Sequence, residues 1–295
     1  MSDVAILAIL CGFAAAVAWG ICDFWAAKAT RAVGPATSVI VVNGIGLLAF
    51  ALFYFLSGHN QNLMRSDMWY AVGGGIAQGI GLISFFQALK VGPVSLVSPL
   101  SSAYPLITTI LLLMFFHGSL SPRQIIGVAV VTLGVLAASE LFNIKNSDRR
   151  LGRGPALALL TASAWGLAYV LMSQALHDIS WQTASLVQIS CIFVTCAVLA
   201  PIVKGSEKIL TRASLHSLKN PYIIGAGVLQ MFGMVIINVG IEQDANLAPV
   251  VAAVSACYPV LTILLALKHL KEDFKLVPIC GAIVTIAGVI ILSLG

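Results

Sequence analysis

Charge is what this sequence has least of. Of its 295 residues only 9% are Asp, Glu, Lys or Arg, whereas 59% are hydrophobic and the mean hydropathy is +1.00. Soluble domains carry roughly 25% charged residues, so the composition excludes a soluble globular domain and makes the chain an integral membrane protein. The net charge of +5 is no nucleic-acid footprint, because the basic residues stand between apolar runs and form no patch. Nucleic acid is therefore not an expected partner. There is no CxxC pair: the cysteines at 11, 22, 191, 196, 257 and 280 each sit inside an apolar run, and no histidine completes a zinc set, so they read as small packing residues. HExxH, a P-loop, a GxSxG nucleophile turn and any acidic cluster fit for a metal are also missing. Those absences argue against an enzyme, a resident cofactor or metal, and an ATP-driven pump. The N-terminus lacks a basic n-region, and its first apolar run of about two dozen residues exceeds the roughly 7–15 of a signal h-region; it reads as a retained first span.

What is present is hydrophobic length. Windows of about 20 apolar residues predict ten spans, at 4–27, 36–57, 68–90, 93–116, 122–142, 154–177, 181–203, 220–242, 246–268 and 276–294. Most connections are short. The basic linker 143–153, with Lys145, Asp148, Arg149, Arg150 and Arg153, divides the chain near its midpoint, and Lys204 to Asn220 is long enough for a short surface helix.

The halves 1–142 and 154–295 say the same thing twice. Ala16 to Gly20 (AVAWG) returns as Ala162 to Gly166 (ASAWG), and Tyr70 to Gln78 followed by Gly81 returns as Tyr222 to Gln230 followed by Gly233. Within the proline-rich stretch Ser98–Thr109, Ala103 to Thr108 (AYPLIT) returns as Cys257 to Thr262 (CYPVLT); Gly127, Gly134 and Val135 return as Gly281, Gly288 and Val289. Five spans per half is an odd number, so the second copy must enter the membrane from the opposite side. The expected fold is all-α: ten transmembrane helices as two inverted five-helix repeats, an architecture that lets a midplane site face each side in turn. Of the 16 Lys and Arg residues, about 14 fall in the connections after spans one, three, five, seven and nine. The positive-inside rule then places those loops in the cytoplasm and both termini outside.

Candidate solute-binding residues are the polar and aromatic groups at membrane depth. Trp19 and Trp165 lie several residues inside their spans, where an indole N–H needs a partner; cavity lining and packing both remain open for them. One turn on, Asp23 and Tyr169 share their face. Asp23 is the only carboxylate well inside an apolar run, and such a group is by default functional. Desolvation disfavours its charged form, which would suit proton coupling; an ion pair with Lys28 or Arg31 is the structural alternative. Gln78 and Gln230 are matched mid-span amides beside glycine faces, and Asn43, Gln188 and Asn238 are further amides; each is either cavity-facing or interhelical glue. Tyr104 and Tyr258 adjoin Pro105 and Pro259, which with Pro99 and Pro249 are the expected kinks. A proline frees a carbonyl, and a bilayer tolerates that only against protein or a watery cavity.

Trp-Gly early in spans one and six, prolines in spans four and nine, and spaced glycines in spans five and ten together resemble the EamA-type branch of the drug/metabolite transporter superfamily, over nearly the whole chain. The family's Leu-Gly-Glu-like turn after the fourth span is approached by Leu270, Lys271 and Glu272, while Phe116, His117 and Gly118 lack the acid, so any role for that glutamate carries to Glu272 alone. The resemblance implies a ten-helix bundle with a central cavity formed by spans three, four, eight and nine with one and six. It also implies transport of small solutes, commonly efflux of amino acids or related metabolites across a bacterial inner membrane. Its members usually keep their termini in the cytoplasm, opposite to the charge count, which is followed here. The expectation is a monomeric secondary transporter of small polar metabolites, with the bilayer and a small solute as partners and protons as a candidate coupling ion. Efflux of lipophilic cations through Asp23 is the alternative, and a non-transporting scaffold or lipid-handling subunit the third.

Overall fold

The computed structural model describes residues 3–58, 67–92, 94–116, 120–138, 153–202 and 220–270, together with 280, 281, 283–285, 287, 288 and 291. Its helices are α1 (Asp3–Val33), α2 (Pro35–Leu56), α3 (Met68–Val91), α4 (Val94–Ser101), α5 (Tyr104–Phe115), α6 (Pro122–Ala138), α7 (Gly154–Ala175), α8 (Trp181–Leu199), α9 (Pro221–Gln243), α10 (Ala248–Ser255) and α11 (Tyr258–Leu270). Among the described residues there is no strand. Eight helical stretches there are long and apolar enough to cross a membrane, and the shorter apolar α6 makes a ninth span. The tenth lies mostly outside the described residues, although those described within it are helical. The midpoint linker, the segment from 203 to 219 and Glu272 also lie outside them.

Local chemistry explains where the helices begin. Ser121 and Gln124 form a reciprocal box ahead of α6: each backbone N–H donates to the other's side-chain oxygen, at 2.8 and 3.2 Å, occupying two otherwise orphan donors. Asn220 accepts from the Tyr222 N–H at 2.9 Å, and Pro221 follows it where a missing donor costs nothing. Glu242 is tied across the bundle, its carboxylate accepting from the Trp181 N–H at the start of α8 at 2.8 Å, where the helix dipole favours a negative charge.

Spans four and nine are broken outright. α4 ends at Ser101 and α5 resumes at Tyr104; α10 ends at Ser255 and α11 resumes at Tyr258. Pro99 lies inside α4, but Pro105, Pro249 and Pro259 each occupy the first turn of a helix. Pro105 and Pro259 restart the helix after a break, Pro249 opens α10 directly after the 3-10 turn Ala245–Leu247, and none of the three kinks a helix interior. Carbonyls beside the breaks, which already accept backbone N–H groups, take a second donor from a side chain: Pro99 O accepts from Ser102 Oγ at 2.8 Å, Ala252 O from Ser255 Oγ at 3.0 Å, and Ser98 O from Tyr258 Oη at 3.2 Å.

The two halves interlock by a pseudo-twofold rule. α3 is held by α7 and α8 of the other half, and its mate α9 is held by α1 and α2. Glycines allow the approach. The edge of Trp165 rests on Gly81, and that of Trp19 rests on Gly233, where an added Cβ would collide with the indole. At Gly166 a Cβ would lie 2.7 Å from Ile107 and 3.0 Å from Tyr104 O; at Gly20 it would lie 2.8 Å from Leu261 and 2.9 Å from Tyr258 O. Thr108 and Thr262 then donate to the carbonyls of Gly166 and Gly20 at 3.3 and 3.2 Å. Gly134 abuts Thr285, and Gly288 abuts Val131, so α6 packs on the described part of the tenth span through matched glycines. Outward faces carry Leu48, Phe55, Leu56 and Trp69, all exposed, as lipid-facing surfaces should.

Candidate functional site

Beside the breaks in spans four and nine, Tyr104 and Tyr258 line an internal cavity. Its wall is built in matched pairs from the two halves: Trp19 with Trp165, Gln78 with Gln230, Tyr104 with Tyr258, and Asp23 with Tyr169. Leu82, Phe85 and Phe86 of α3 complete it with Cys22 and Ala26 of α1. A second compartment adjoins it, lined by Met172, Gln188, Met234, Ile237, Asn238 and Ile241 and sharing Trp19, Gln78 and Tyr169 with the first. Ten of the eleven candidate binding residues therefore converge on one continuous region. Asn43 does not: its Nδ2 donates to Val39 O of its own helix at 2.7 Å, and it lines neither compartment.

The aromatic groups brace one another. Tyr104 stacks on Tyr169 with ring centroids 5.1 Å apart and meets Trp165 edge-on at 5.9 Å; Trp19 meets Tyr258 edge-on at 6.3 Å. The hydroxyls of Tyr104 and Tyr169 both reach Ser255 Oγ, at 2.8 and 2.9 Å. With Ser255 donating to Ala252 O, both tyrosines can donate to the serine oxygen and all three hydroxyls are satisfied. Across the pseudo-twofold the pattern changes chemistry. Ser98 Oγ donates to Asp23 Oδ2 at 2.9 Å, while Ser98 O accepts from Tyr258. Where the second half has a tyrosine, the first has an acid.

With the first span expected at 4–27, Asp23 stands about four residues from its end, but the helix itself runs further. α1 continues to Val33, ten residues beyond Asp23. The Lys28 ammonium sits over the rings of Phe24 and Tyr222, at 4.6 and 4.7 Å, and among the described residues Asp23 has no ion-pair partner. The indole N–H of Trp19 points at Gln230 O at 3.5 Å, and that of Trp165 has no partner among the described residues. Gln230 Oε1 faces Cys22 Sγ at 3.6 Å, and Gln78, in the wall of both compartments, makes no hydrogen bond among the described residues. Asn238 Nδ2 donates to Ser185 Oγ and Gln188 Oε1 at 2.9 and 2.8 Å.

Sequence reasoning missed Ser98, Ser255, Phe85, Phe86 and Cys22. Ser98 stood inside the singled-out proline-rich stretch, but serines in membrane helices commonly bond their own backbone, and nothing in the pattern separates these two from the rest. Phe85 and Phe86 read as ordinary apolar filling.

Comparison with known proteins bears on the family and the fold. The model of the EamA-like transporter family matches residues 6–139 and again 152–294. An uncharacterised protein of Methanocaldococcus jannaschii is 32% identical over 135 residues, which are 45% of this chain and 96% of that protein. An uncharacterised transporter of Archaeoglobus fulgidus is 22% identical over 215 residues, 73% of this chain and 72% of the relative. A protein crystal structure superposes with a TM-score of 0.73 at 17% identity, over 97% of this chain and 98% of the other, a likeness of fold.

Proposed function

The chain belongs to the EamA-like transporter family, and from that premise we propose that it is a secondary transporter of small polar metabolites, amino acids and related amines foremost. The observation that carries the reading is the cavity built from matched residues of both inverted halves where spans four and nine break. An inverted pair around one site is the geometry of alternating access, and the exchanged helices make α1, α2 and α9 one packed group and α3, α7 and α8 the other, the two units that would rock. Broken helices supply flexible joints at the site itself. Solute recognition falls to the amides of Gln78 and Gln230, the aromatic faces, and Asp23 for an amino group. Among the described residues no lysine, arginine or histidine lines the cavity, which disfavours strongly anionic solutes such as sugar phosphates, whose binding would want a guanidinium or ammonium clamp.

The protein works as a monomer, since ten spans enclose a whole site, and protons are the candidate coupling ion through Asp23. The basic loops face the cytoplasm and the termini the opposite side, in a cell's limiting membrane; a topology reporter fused after Gly295 and found on the cytoplasmic side would contradict that orientation. The test of function is counterflow in liposomes of the purified protein over the twenty amino acids. Saturable exchange of a few of them supports the reading, and no exchange by folded protein removes it.

One observation favours a second reading, efflux of lipophilic cations. A lone buried carboxyl framed by Trp19, Tyr258, Phe85 and Phe86 is a setting in which aromatic faces and one acid attract a cation. Asp23→Asn keeps an oxygen for Ser98 and removes the charge. On this second reading it abolishes resistance to such cations while the melting temperature in detergent stays within a few degrees.

A further inference from the structure

The compartment beyond Gln78 has a chemistry of its own. Asn238 is 1% exposed and Gln188 5%, and both line it among methionine and isoleucine side chains. The two bonds that Asn238 Nδ2 makes, to Ser185 and Gln188, use both hydrogens of that amide. Asn238 Oδ1 and the hydrogens of Gln188 Nε2 are left without a partner among the described residues. With both amides turned over, the roles exchange and one donor group and one acceptor still remain. A buried polar group left half satisfied is costly. In the wall of this compartment, one donor and one acceptor held together are the complement of a carboxamide, which offers an oxygen to the first and an N–H to the second. A hydroxyl fits the same pair. A carboxylate would set oxygen against oxygen with no cation in the wall, and an ammonium would find no carboxylate, because Asp23 lies in the other compartment.

The two compartments adjoin, but Asp23 and Asn238 lie at their opposite ends. Cys22, next to Asp23, touches Ala226 O of α9, and the step from residue 226 to 238 along that helix is about 18 Å by helical rise. A single amino acid is shorter than this, so it visits the two in turn, past Gln78, Trp19 and Tyr169, which belong to both.

We propose that the Gln188–Asn238 compartment is a second solute-binding station, one that selects solutes bearing an uncharged carboxamide or hydroxyl. It rests on the reading of the protein as an amino-acid transporter. The test is counterflow with glutamine, norleucine and lysine as solutes, run on the wild type, Asn238→Leu and Asn238→Asp. In the wild type glutamine exchanges at least about tenfold better than norleucine, as expected where pocket hydrogen bonds go unmade with the apolar analogue. Asn238→Leu brings the two within about threefold, and Asn238→Asp raises lysine relative to glutamine by about tenfold through the new charge. Ratios between solutes are read on active molecules, so partial misfolding of a variant does not mimic either result. Amino-acid exchange with a glutamine-to-norleucine ratio unchanged in both variants overturns the station and leaves the transporter reading standing. No exchange of any amino acid by folded wild-type protein removes both.

Discussion

Ser255 is a small residue with a large share of the site's geometry. Its hydroxyl receives Tyr104 from the first half and Tyr169 from the second, and all three groups are buried. Ser255→Ala would leave two phenols without that partner, and each unsatisfied buried hydroxyl costs about 1–3 kcal/mol. The expected outcome is a fall of several degrees in the detergent melting temperature, with Ser255→Thr, which keeps the oxygen, closer to wild type; an unchanged melting temperature in Ser255→Ala would show that the tyrosines find other partners. Serine's importance was illegible in the sequence, because a hydroxyl in a membrane helix usually returns to its own backbone, as Ser84 does to Ile80 O at 3.0 Å. The tryptophans, Gln78, Gln230, Tyr104 and Tyr258 were legible for the opposite reason. Each is a polar or bulky group in an apolar run, and each occurs twice at the same place. Asn43 has no such twin, and it is the candidate that turned back to its own helix.

At the scale of elements, the glycine notches under the two tryptophans fix how close α1 stands to α9 and α3 to α7. An added methyl at Gly233 would occupy space held by the Trp19 indole, and over-packing of this kind costs about 1–3 kcal/mol. Gly233→Ala should therefore lower thermal stability, and combining it with Trp19→Phe should recover part of the loss. Additive effects of the two substitutions, measured as a double-mutant cycle, would contradict the contact. The tandem glycines told the sequence reader that helices approach closely, but not that the approaching group would be the cavity's own tryptophan. Prolines were legible as breaks, yet the direction of cause was not. Pro105 and Pro259 suit helix starts, where their missing donor is no loss, and each interruption falls just before such a start, at 102–103 and 256–257.

For the whole molecule, the inverted repeat was legible from span parity and from motifs in matching order. The interlocking was not, because a repeat in sequence does not say whether its copies lie side by side or exchange helices. Here the third span of each half is held mainly by the first two spans of the other, so neither half buries its own glycine faces. A relative whose length is 96% matched by 45% of this chain is about the size of one half, which fits a unit that needs a second copy. Cutting the chain within the linker at 143–153 and co-expressing the pieces should yield two fragments that purify together, whereas either piece alone should be lost from the detergent-soluble fraction. Fragments that are soluble and monodisperse singly would contradict the exchange of helices.

The central claim is that solute binds at the matched wall between the halves, and one measurement addresses it most directly. Counterflow of the best amino-acid substrate should be compared among wild type, Trp165→Ala and Gln78→Ala in liposomes, with melting temperatures recorded for each protein. The account predicts that both variants remain folded and lose saturable exchange by at least about tenfold, the equivalent of one well-placed hydrogen bond or ring contact. Exchange that persists at the wild-type rate in both folded variants would contradict it and move the site elsewhere in the bundle.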